Sequence, residues 1–78
     1  MPRFYFDVTD TGDRLRDEEG LDLASVELAR RQALAALGDM AKEELPDGDH
    51  REFVVEVRDG GTEPILRATL SLNVERKV

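Results

Sequence analysis

Only one segment of this chain, Ser25 to Leu45 (SVELARRQALAALGDMAKEEL), is long and periodic enough to form a substantial helix. It lies between two regions whose apolar residues alternate, so the simplest fold is a sheet with this helix across one face. Advancing about 100° per residue from Val26, one arc collects Val26, Ala29, Ala33, Leu34, Ala36, Leu37, Met40, Ala41 and Leu45. The many alanines favour a helix and allow close approach to a sheet. Ser25 is the expected N-cap, with a hydroxyl that accepts from a free N–H of the first turn. Glu27 then complements the helix dipole. Gly38 weakens the helix interior by about 1 kcal/mol relative to Ala. Pro46-Asp47-Gly48-Asp49 ends the helix.

The flanking regions follow a period of two. Before the helix, Phe4, Phe6 and Val8 oppose Arg3, Tyr5 and Asp7, the pattern of a half-buried strand. Thr9 to Asp13 has turn chemistry, and Arg14-Leu15-Arg16 reads as a short return strand with Leu15 inward. Arg3–Asp17 is thus expected to form a hairpin with a loop of about four or five residues. Leu21 and Leu23 tuck under the sheet edge as the chain turns toward the helix. After the helix, Phe53, Val55 and Val57 oppose Glu52, Val54, Glu56 and Arg58. Asp59 to Pro64 turns the chain. Leu66, Ala68, Leu70, Leu72 and Val74 then oppose Arg67, Thr69, Ser71, Asn73 and Glu75. The expectation is one α+β domain over residues 1–78. Its order is β-β-α-β-β, with a four-stranded antiparallel sheet, one helix on the apolar face, and strand order 2-1-3-4.

Composition narrows the function. Seventy-eight residues leave room for one core. The absence of cysteine removes disulfides, thiolate metal sites and thiol nucleophiles. A net charge of −7 argues against a binder of phosphate backbones or anionic membranes. MPRFYFDV has no apolar signal-peptide core, and no window approaches a membrane span. The expected location is the cytoplasm.

The search for chemistry ends on structural explanations. Asp17, Glu18, Glu19 and Asp22 are the densest acids and the best place for a divalent cation or acid–base pair. Successive residues of an extended chain point opposite ways, however, so a solvated turn explains them better. Asp47, Gly48, Asp49 and His50 read as loop. Ser25 is explained by capping and Ser71 by a polar strand face. Gly60-Gly61 lacks the spacing of a phosphate loop. Tyr5 is a lone aromatic among acids, unlike the stacking platform of an RNA-binding sheet. No catalytic, cofactor or metal residues are assigned.

The polar sheet face is the most informative surface. If the first and third strands are neighbours, Tyr5 and Val54 form a small apolar centre ringed by charges that include Arg58 and Arg67. That is the composition of a modest interface. Ordinary cross-strand charge pairing produces the same pattern. Leu28, on the far side of the helix, and the edge strands are further candidate self-association surfaces.

MPRFYFDV, RDEEGLDL, the Ala-rich helix, REFVVEVRD and ILRATLSLNVER together resemble an uncharacterised family of short alphaproteobacterial proteins, a domain of unknown function. Members open Met-Pro-Arg-aromatic-aromatic-Phe, carry an Asp-Glu-Gly turn and close on a Leu-rich strand. The likeness is strongest over Met1–Phe6, Asp17–Gly20 and Ala29-Arg30. Members often have Pro-Asp where this chain has Ala24-Ser25, and both choices cap a helix. The resemblance implies no catalytic residues. The function expected is a non-enzymatic protein-interaction module, either a homodimer or the acidic partner of another protein, such as an antitoxin for a basic toxin. The alternative is a ligand or cation binder, or an enzyme, using Asp17–Asp22.

Overall fold

The computed structural model describes residues 2–44 and 49–78. It is an α+β fold of five strands and one helix in the order β1 (Arg3–Asp10), β2 (Asp13–Leu15), β3 (Leu21–Asp22), α1 (Val26–Glu44), β4 (His50–Arg58) and β5 (Leu66–Asn73). All the pairings are antiparallel. The main path across the sheet runs β2-β1-β4-β5, the expected order that keeps every neighbour antiparallel.

Two details depart from expectation. The sheet has five strands, because Leu21 and Asp22 pair with Phe4 and Arg3 as a short β3. Leu21 is therefore edge backbone rather than a plug beneath the sheet, and only Leu23 packs against the core. The first hairpin is also tighter than expected. Asp10 pairs with Asp13, leaving a two-residue turn. Thr11 and Gly12 have φ of 46° and 98°, and positive φ at both central positions is the geometry whose twist matches a hairpin.

The helix begins as the sequence indicates. The Leu28 N–H donates to the Ser25 hydroxyl at 3.3 Å, and the Ala29 N–H to the Ser25 carbonyl at 3.2 Å. The expected helix end at Leu45 and the stop at Pro46-Asp47-Gly48 lie outside the described residues. Helix α1 packs on β4 and β5. Ala29 and Ala33 are fully buried and Leu37 nearly so, against Phe4, Phe53, Val55 and Val57. Burial of each large side chain contributes about 1.5–3 kcal/mol.

The offset of the helix toward β4 and β5 has a consequence at each margin. Leu15 pairs with Val8 and so shares the apolar face, but it is 73% exposed, because the helix does not extend over β2. The expectation of an inward Leu15 is corrected accordingly. Val26 and Leu34 of the helical arc are exposed as well, at its N-terminus and its flank.

Candidate functional site

The polar face of the sheet contains the one ionic cluster that is buried among the described residues. Asp7 is 2% exposed and Arg58 is 5% exposed. They lie on adjacent strands, Asp7 opposite Glu56 and Arg58 opposite Tyr5. Arg58 Nε donates to one Asp7 oxygen at 2.7 Å and Nη2 to the other at 3.1 Å, a bidentate pair. The same guanidinium lies over the Tyr5 ring at 5.0 Å and donates to the Asp17 carbonyl at 2.8 Å. Asp7 also accepts from the Asp17 N–H at 2.9 Å and from Arg14 at 3.3 Å.

Asp17 closes this cluster from above. Its carboxylate accepts from the N–H groups of Phe6, Glu19 and Gly20 at 3.1, 3.0 and 3.1 Å. Between the stretches of β1 paired with β2 and with β3, the side chain of Asp17 thus takes the place of a strand for the Phe6 amide. Gly20 makes the return possible. Its φ is 74°, and a Cβ there would meet Arg3 Cγ at 2.8 Å and Tyr5 Cε2 at 2.9 Å.

The electrostatics follow from these contacts. The Arg58 guanidinium, helped by the Asp17 N–H and Arg14, outweighs burial and holds the Asp7 carboxyl below the usual carboxylate range. Burial pushes Asp17 up, but its three N–H donors prevail and lower it too. Asp7 in turn raises Arg58 above the ordinary arginine value. All three groups remain charged at neutral pH and are engaged within the chain.

Other residues singled out from the sequence are distributed as follows. Tyr5 is half-buried beneath Arg58. Val54 is half-buried opposite Thr9 and Thr69. The first and third long strands are indeed neighbours, yet the register sets Tyr5 opposite Arg58 and Val54 opposite Thr9, with the Asp7–Glu56 rung between them. Tyr5 and Val54 therefore do not form one apolar centre. Arg58 is an internal ion-pair partner and presents almost no surface. Arg67 is exposed and pairs with Glu56 across the strands at 2.8 Å. Leu28 is 40% exposed on the outer side of the helix.

The acidic turn is likewise engaged. Asp17 holds backbone, and Asp22 pairs with Arg3 at 3.2 Å, while Arg3 also donates to the Glu19 carbonyl. Glu18 and Glu19 are exposed. Among the described residues no group of three or more His, Cys, Asp or Glu side chains converges on a point that could hold a metal ion. His50 Nδ1 lies 2.6 Å from the Asn73 side-chain oxygen, and Asp47 lies outside the described residues. A shallow concavity of about 320 Å³ lies over the cluster, lined by Tyr5, Arg16, Asp17, Glu18, Arg58 and Gly60.

The family model for a domain of unknown function, DUF6894, matches residues 3–71. The chain belongs to the DUF6894 family. Neither the curated proteins nor the solved structures yield a match. In this DUF6894 domain the matched span contains the whole Asp7–Arg58–Asp17 cluster. No described helix is long and apolar enough to cross a membrane.

The expected strand order of the DUF6894 domain already made the last strand an edge, and the structure agrees. Strand β5 is the open edge of the sheet, next to β4 alone. Around it Ile65, Leu70 and Val74 are 43%, 38% and 55% exposed. The alternation placed Leu70 and Val74 in the core. What the alternation did not show is how far the helix leaves the apolar side of that edge uncovered.

Proposed function

We propose that this DUF6894 domain is a non-enzymatic, cytoplasmic protein-interaction module that acts through the β5 edge of its sheet. The observation that carries this reading is the contrast between the two edges. Strands β2 and β3 are three and two residues long, separated by the Arg16–Gly20 turn, and themselves contain Asp13, Arg14 and Asp22. Strand β5 is eight residues long, has no Pro or Lys, and is bordered by exposed apolar side chains. An exposed edge of this kind is a template for another strand. The buried charges of the polar face support the reading from the other side: Asp7, Asp17 and Arg58 are held by one another and by backbone.

The test is affinity capture with the wild-type chain and with Ser71→Pro, using both a second, differently tagged copy and an extract of the source cell. A specific partner retained by wild type and lost by the edge variant, while a Leu28→Ser variant retains it, supports the module. Equal retention by wild type and Ser71→Pro overturns it.

A further inference from the structure

Resting on the interaction reading above, we propose that the partner of β5 is β5 of a second copy. The two strands run antiparallel about a two-fold axis at Leu70, giving one continuous sheet across two domains.

Backbone direction supplies the first reason. The Val74 N–H donates to the Asp49 carbonyl at 2.7 Å, in step with the β4–β5 register that pairs Asn73 with His50. Hydrogen-bonded rungs alternate in an antiparallel ladder. The even-numbered residues of β5 therefore face β4, and the amides and carbonyls of Arg67, Thr69, Ser71 and Asn73 point outward from the edge. These are the groups a further strand requires.

Side-chain matching supplies the second. Residues directly opposite in a sheet share a face, so a two-fold at Leu70 sets Leu70 against Leu70 and Ala68 against Leu72, all on the apolar side. Leu66 then faces Val74. This covers Leu70 and Val74, which the single chain leaves exposed. On the polar side Thr69 faces Ser71 and Arg67 faces Asn73, with no like charges opposed.

Charge supplies the third. The chain carries −7, so two copies repel over most approaches. No acidic residue lies between Glu63 and Glu75, and the only charge in that stretch is Arg67. In this register Arg67 of each copy stands diagonal to Glu75 of the other, an attraction made twice by symmetry. The edge is thus a place where copies of an acidic protein meet without acid-to-acid contact.

The experiment combines mass and a covalent reporter. The chain has no cysteine, so a single introduced thiol reports only on itself. Position 70 meets its own copy in a non-hydrogen-bonded rung, where Cα atoms stand about 4.5 Å apart. That lies within the range of about 4.4–6.8 Å that a disulfide spans. Expected results are the doubled mass for wild type in sedimentation equilibrium and a covalent dimer of Leu70→Cys on mild oxidation. Ala68→Cys, which faces position 72, should form far less. Ser71→Pro removes an outward amide and no β4 bond, so it should keep the circular dichroism of wild type and sediment as a monomer. A wild-type monomer at high micromolar concentration overturns self-pairing, as does a folded Ser71→Pro that remains dimeric or a Leu70→Cys dimer that fails to cross-link. If wild type is monomeric but captures another protein through the edge, self-pairing falls and the interaction module stands. If the Ser71→Pro bait retains the same proteins as wild type, both fall.

Discussion

Arg58 holds Asp7 through two nitrogen–oxygen contacts of 2.7 and 3.1 Å on the face of the sheet away from the helix. With the Asp17 turn above and the Tyr5 ring beside it, this pair forms a second, polar core in a domain whose apolar core is small. It ties β1 to β4 and both to the turn between β2 and β3.

Removing one member of the pair should be severe. Asp7→Asn leaves a buried guanidinium without its counter-charge, and breaking a buried pair costs roughly 3–5 kcal/mol. Urea unfolding should show a loss of that order, enough to leave a domain of this size partly unfolded. Replacing both together, as Asp7→Leu with Arg58→Met, should recover much of the loss. A single-variant loss below about 1 kcal/mol would mean that the pair is solvated.

The cluster also sets the acid limit. Both Asp7 and Asp17 are lowered from an ordinary value of 3.8. A carboxylate depressed in the folded state contributes stability that is fully present above its unfolded pKa and is lost as pH falls through the folded one. Urea midpoints should therefore be flat with respect to these groups from neutral pH down toward the unfolded value, then drop below it. In Asp17→Asn that drop should shrink. An unchanged acid profile in the variant would count against the three N–H bonds that lower Asp17.

Two glycines should respond oppositely to alanine. Gly20 has positive φ and contacts of 2.8, 2.9 and 3.0 Å awaiting a Cβ, the last from the Phe4 backbone oxygen. Gly20→Ala should destabilise by more than about 1 kcal/mol, the usual cost of the left-handed conformation alone. Gly38 lies in the helix with open space around it. Gly38→Ala should stabilise by about 0.5–1 kcal/mol. Thermal unfolding that moves both variants in one direction would refute this account.

The helix cap gives a smaller, separable effect. Ser25→Ala removes the acceptor of the Leu28 amide and should cost about 1 kcal/mol. Ser25→Asp should retain the stability, since Asp caps as well and adds a charge favourable to the helix dipole. An alanine variant as stable as wild type by urea titration would show that water replaces the cap.

The sequence by itself determined the helix and the long strands with their faces, though not the short β3. Alternation at Phe4–Val8, Phe53–Val57 and Leu66–Leu72 marked strands with one apolar side, and the Ser25 cap marked the start of the helix within one residue. The order β2-β1-β4-β5 was the arrangement that keeps every neighbour antiparallel, but the pairing of β1 with β4 was decided by the tertiary structure. A period-two pattern assigns a side chain to a face, but it does not say which residue lies opposite or how far the covering helix extends. Those depend on contacts between residues far apart in the chain. Only the tertiary structure decided that the register separates Tyr5 from Val54, that Asp7 is buried by a turn ten residues later, and that Arg58 neutralises it. The lateral placement of α1 over β4 and β5 likewise exposed Leu15, an apolar residue that alternation alone assigns to the core. The physical reason is that burial is a property of what lies above a residue, and in this chain the one helix is too narrow to cover every strand whose apolar face the sequence turns toward it.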